Sequence, residues 1–129
     1  MKAYLIDPFQ KKVHDLDIPK NLQAWYEVLR SDNVDCVFAG ELPGRRCVDV
    51  WVDDYFLDRA EEWPCFKIGE SQVYGYGLVL ESDKDGESQG VTFGKSFFNG
   101  KLFFEKWEDR LDAEKFLEEL TRVPSWEHV

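Results

Sequence analysis

Hydrophobic and polar positions alternate most clearly from Cys47 to Tyr55, and the rest of the chain can be arranged around that stretch. Val48, Val50 and Val52 fall on one side and Asp49, Trp51 and Asp53 on the other. This is the period of a strand with one buried face. The pair Asp53-Asp54 ends it in an acidic, aromatic turn. Upstream, Lys2 to Ile6 reads as a strand stopped by Asp7-Pro8, because proline restricts the residue before it and donates no hydrogen bond. Val13, Leu16 and Ile18 alternate weakly, which suggests an N-terminal hairpin across Asp7 to Gln10.

Pro19 sits where a helix starts, and Leu22, Trp25, Tyr26 and Leu29 follow the i, i+3, i+4, i+7 spacing of an apolar stripe over about 20–30. Ser31-Asp32-Asn33 stops that helix, Val34 to Ala39 is apolar enough for a strand, and Gly40 to Gly44 makes a turn. After the acidic turn, Cys65 to Ile68 is a short strand. Val73 to Leu80 is a long one, with Tyr74, Tyr76, Leu78 and Leu80 on one face and Val73, Gly75, Gly77 and Val79 on the other. Glycines inside a strand signal close approach of another backbone, a helix or a ligand. Glu81 to Gly90 is an acidic loop, and Val91 to Phe93 resumes a strand. Asn99-Gly100 between aromatic runs signals a hairpin, or else a loop into a C-terminal helix over about 112–122, capped by Asp112 and ended by Pro124. The predicted architecture is a single α+β domain over 1–129 with a mainly antiparallel or mixed sheet and two helices.

Composition narrows the function classes. The chain has 129 residues, 43% of them hydrophobic, so it can bury a core without metals or disulfides. Ten Phe, five Trp and five Tyr exceed the needs of a small core and point to an exposed aromatic surface. The net charge of −10 argues against direct nucleic-acid binding, which needs clustered Lys and Arg, and against an anionic membrane surface. It favours a soluble cytoplasmic protein, or one whose partner is basic. Cys36, Cys47 and Cys65 are odd in number and lack C-x-x-C spacing, and there is no apolar run of membrane-spanning length, so free thiols in a reducing compartment are expected.

Three segments together resemble a known group of proteins. These are Lys2-Ala3-Tyr4-Leu5-Ile6-Asp7-Pro8, Trp51-Val52-Asp53-Asp54, and Tyr76-Gly77-Leu78-Val79-Leu80 followed by an acidic loop. They are similar to a family of small bacterial, phage and plasmid proteins, a domain of unknown function, that open on a K-A-Y-L-I-D-P-like strand. That family has a central V-D-D motif and a G-x-G-L-V-L-like strand. The resemblance spans Met1 to Gly90 and implies an α+β fold and a mobile-element setting. It carries no established enzymatic activity over to this chain and says little about chemistry. The chain departs from the pattern at Tyr55-Phe56-Leu57, where the family carries an E-G-L turn.

No strong catalytic signature is present. Glu81-x-Asp83-x-Asp85-Gly86 matches the first half of a calcium loop, but position 12 falls on Thr92. Asp49, Asp53 and Asp54 could approach a magnesium ion, although adjacent acids at a strand end are more often a solvated turn. His14 and His128 are the only histidines, which argues against zinc. There is no G-x-S-x-G elbow, P-loop or dinucleotide fingerprint. The carboxylate pairs Glu61-Glu62 and Asp53-Asp54 suit acid–base work only inside an apolar pocket.

The expectation is therefore a non-catalytic, acidic protein-interaction module without cofactor or metal. It would be a mobile-element accessory or anti-defence factor engaging a host protein that is basic or binds nucleic acid. Its candidate binding residues are Trp51, Asp53, Asp54, Tyr55, Trp63, Tyr74 and Tyr76. The alternatives are a small-molecule binder with a pocket near Tyr74 to Gly77 and a metal-dependent hydrolase using Asp53 and Asp54. The sequence leaves the oligomeric state open.

Overall fold

The computed structural model describes residues 1–59 and 62–104. The predicted helix over about 112–122 lies outside them, so the expected count of two helices is not met by the described residues. They contain one α-helix and nine strands.

The larger sheet is antiparallel throughout, in the order β2-β1-β7-β4-β3. Its strands are β1 (Lys2–Asp7), β2 (Lys12–Asp17), β3 (Val34–Leu42), β4 (Arg46–Asp53) and β7 (Gly77–Ser82), and the short β8 (Ser88–Gln89) pairs with β7. A second sheet contains β6 (Ser71–Tyr74), β5 (Cys65–Ile68) and β9 (Leu102–Phe104), in that order. The helix α1 (Leu22–Leu29) covers one face of the larger sheet, and the smaller sheet packs on the other. Two buried clusters mark the two interfaces.

The alternation in β4 holds. Val48, Val50 and Val52 are fully buried toward the second sheet, among Phe66, Ile68, Val73 and Val79. Trp51 points the other way and packs on Trp25 of α1, with ring centroids 5.3 Å apart. The helix begins two residues later than its pattern suggests. Asn21 is the N-cap, its side chain accepting from the Ala24 N–H at 2.8 Å. Leu22 therefore opens the first turn and is 47% exposed, while Trp25, Val28 and Leu29 form the buried stripe.

Three expectations need correction. Val91 to Phe93, after β8, forms no strand. The run from Val73 to Leu80 is not one strand. Gly75 adopts φ 98° and separates β6 from β7, which belong to different sheets. Asn99-Gly100 does not join two strands either. A 3₁₀ turn, Lys95–Phe98, precedes it, and Asn99 (φ −62°, ψ 124°) with Gly100 (φ 73°) has the dihedrals of a type II turn. Hairpins favour type I′ or II′, whose twist matches the paired strands.

Both β1 and β4 run antiparallel to β7, so they end on the same edge of the sheet, beside the start of β7. That edge carries Asp7, Asp53 and the C-terminal end of α1. Among the described residues, no helix is long and apolar enough to cross a membrane.

Candidate functional site

The acidic turn after β4 and the loop after α1 are fastened to each other. Asp53 is 3% exposed. Its Oδ1 accepts from the Tyr55 N–H at 3.0 Å and from Ser31 Oγ at 2.8 Å. The Asp54 N–H donates to the Asn33 carbonyl at 2.9 Å, and Asn33 Nδ2 donates to the Tyr55 hydroxyl at 3.1 Å. These bonds hold the ring of Tyr55 in place although it is 54% exposed. The 3₁₀ turn Phe56–Arg59 follows, with Leu57 exposed to 69%.

Between this turn and α1 lies an open groove of about 400 Å³, lined chiefly by Tyr26, Glu27, Arg30, Asp32, Asp53 and Tyr55. Arg30 caps the helix in the left-handed region (φ 56°), a conformation usually left to glycine. Its guanidinium stacks on Tyr76 at 5.3 Å, and its Nε and Nη2 are buried. Beneath it the rings continue inward. Phe9 lies 5.1 Å from Tyr76 and 5.7 Å edge-on from Trp63. An aromatic column thus runs from the core to the floor of the groove.

The seven sequence candidates separate accordingly. Asp54 and Tyr55 are exposed at the turn, while Asp53 is the buried bond acceptor that shapes it. Trp51 is half-buried against Trp25. Trp63 and Tyr76 are core residues, 6% and 2% exposed, and they act as supports for the site rather than as its surface. Tyr74 sits on β6 in the other sheet, where Gln72 Nε2 donates to its hydroxyl at 3.2 Å. Sequence reasoning missed Tyr26, Glu27, Arg30 and Asp32, which come from the helix end; the only signal was that the Ser31-Asp32-Asn33 stop is polar.

The space expected beside Gly75 and Gly77 is filled by the protein itself. A Cβ at Gly75 would lie 2.5 Å from Trp63, and one at Gly77 would lie 2.7 Å from Phe66 and 2.8 Å from Val50. The glycines admit internal side chains, not a ligand. Asp49, Asp53 and Asp54 do not converge. Among the described residues no three His, Cys, Asp or Glu side chains are placed to hold a metal ion. In the acidic loop, Asp83 Oδ1 accepts from the N–H groups of Asp85 (2.9 Å) and Glu87 (3.0 Å). The Glu87 N–H leads in holding that carboxyl below its ordinary value. Asp83 is thus occupied in shaping its own loop.

All three cysteines are free thiols. Burial, and then the Asp49 carboxylate, push the Cys36 thiol from 9.0 up to about 12. At a given mild pH its thiolate fraction is about a thousandfold below that of an ordinary thiol, partly offset by the greater nucleophilicity of a more basic thiolate. Native Cys36 is expected to react with a disulfide reagent at pH 8 about 30-fold or more slowly than in the urea-unfolded chain. Site-resolved mass spectrometry checks this, and equal rates would contradict it.

No family model, curated protein or solved structure matches the chain.

Proposed function

We propose that the protein is a non-catalytic interaction module that engages a basic protein partner through the edge formed by Asp54 to Asp58 and the adjoining groove. One observation carries this reading. Two large hydrophobic side chains, Tyr55 and Leu57, are exposed between the exposed carboxylates Asp54 and Asp58 on a turn whose backbone is fixed by hydrogen bonds. An ordered, amphipathic protrusion loses little conformational freedom on binding. The net charge of −10 supports a cationic partner. The three free thiols support a reducing, cytoplasmic setting. The finer role, a mobile-element accessory or anti-defence factor acting on a host protein, rests on the sequence resemblance and the charge.

The test is affinity capture from an extract of the cells that carry the protein, using wild type and the variant Asp54→Asn/Tyr55→Ala/Leu57→Ser. Asp53 is left intact because it holds the turn. These exposed substitutions are expected to change stability by no more than about 0.5 kcal/mol each. A partner retained by wild type and lost by the variant is the expected outcome. Equal retention by both baits, or no partner above background, would sink the proposal.

A further inference from the structure

We infer that the groove between α1 and the Asp53 turn receives an arginine side chain from the basic partner. The inference rests on the interaction reading above and adds the chemistry of the contact. Among the described residues, the exposed charged side chains of the groove lining are carboxylates. Glu27 and Asp32 are exposed on its walls, and Asp54 stands exposed on the same turn as Tyr55. Among the described residues, the one cationic side chain in its lining is Arg30, which lies over Tyr76 with Nε and Nη2 buried. An incoming cation therefore meets an electronegative opening.

Shape and ring chemistry then favour arginine over lysine. Tyr26 and Tyr55 both line the groove, and the Tyr55 ring is fixed through its hydroxyl by Asn33. A guanidinium is flat, stacks on aromatic faces and pairs with a carboxylate through two parallel N–H donors. An ammonium is compact and more strongly hydrated, so it loses more on leaving water for a half-open groove. The volume of about 400 Å³ is ample for one long side chain with part of its backbone. The protein already uses the same contact internally, where Arg30 lies on Tyr76 at the base of the groove.

The test needs no partner. The ¹⁵N-labelled protein is titrated with N-acetyl-arginine amide and, separately, with N-acetyl-lysine amide, and backbone amide shifts are followed by NMR. Saturable shifts are expected at 23–32 and 53–55, with affinity for the arginine probe at least about twofold higher than for lysine. Tyr55→Ala and Asp32→Asn, each at an exposed position, are expected to weaken arginine binding about twofold to fivefold. The same spectra report whether each variant is folded. Shifts that fail to saturate, that scatter over the whole acidic surface, or that are equal for the two probes would overturn the inference. So would binding unaffected by both substitutions. If the arginine probe fails while the capture variant still loses its partner, the groove assignment falls and the interaction reading stands. If the probe binds and capture retains nothing, the interaction reading falls, and with it the assignment of the arginine to a partner protein, and the groove stands only as a guanidinium site.

Discussion

Replacing Glu81 with alanine is expected to destabilise the protein by about 3 kcal/mol. Glu81 is on β7 and is 0% exposed. Its Oε1 accepts from Arg46 Nε at 2.7 Å, and its Oε2 accepts from Thr92 Oγ1 at 2.8 Å and from the Thr92 N–H. One buried carboxylate thus ties β4, β7 and the segment after β8 together. That segment brings Val91 and Phe98 into the cluster between the sheets, and the Tyr4 hydroxyl donates to the Phe93 carbonyl. Removing the carboxylate strands the Thr92 donors and takes from Arg46 the carboxylate it is paired with, leaving it the weaker attraction of Asp83. Arg46 is 32% exposed and can turn to water, which keeps the loss near the lower end for a broken buried pair. Glu81→Gln preserves shape and an acceptor for Thr92, so its cost should be about half. Glu87→Ala removes only an exposed pair with Lys20 at 3.5 Å and should cost less than about 0.5 kcal/mol. Urea denaturation of the three variants checks the order, and amide exchange at Val91 and Thr92 locates the effect. A loss under about 1 kcal/mol for Glu81→Ala would show that the clamp does not hold the segment.

Glu81 also illustrates where the sequence stops being legible. Its local pattern, Glu81-x-Asp83-x-Asp85-Gly86, suggests a solvated loop, yet its first residue is buried and its third is a turn former. Asp53 and Asp54 are identical in kind and adjacent, but one is the buried acceptor for the turn and the other is free surface. What decides each case is the depth of the strand end, which depends on the packing of distant segments. Local periodicity was readable where one face alone is buried, as in β4. It misled at Gly75, because the apolar period continues through a residue whose φ of 98° breaks the strand. The site was half legible. Asp54 and Tyr55 could be read from an acidic, aromatic strand end. Tyr26, Glu27, Arg30 and Asp32 could not, since only the fold brings the end of α1 beside that turn.

The break at Gly75 yields the second large effect. Gly75→Ala is expected to cost about 3 kcal/mol. Two causes add. An alanine at φ 98° is strained whatever the space, and its methyl carbon would stand 2.5 Å and 2.8 Å from two ring atoms of Trp63. The ring is 6% exposed and packed edge-on against Phe9, so it cannot move aside freely. A double-mutant cycle separates the causes. Trp63→Leu removes the obstructing ring, and in that background Gly75→Ala should retain only the backbone strain, about 1–2 kcal/mol. Equal costs in both backgrounds would mean that the collision contributes nothing. The displacement also has a direction. Trp63 supports Phe9, Phe9 supports Tyr76, and Tyr76 carries the guanidinium of Arg30 in the groove floor. Shifting the ring at the base of this column should therefore move amide resonances at Arg30 and Ser31, although no substituted atom reaches them. Trp63 and Tyr76 would then influence recognition by positioning the floor of the groove, while Tyr55 and its neighbouring carboxylates make the contact.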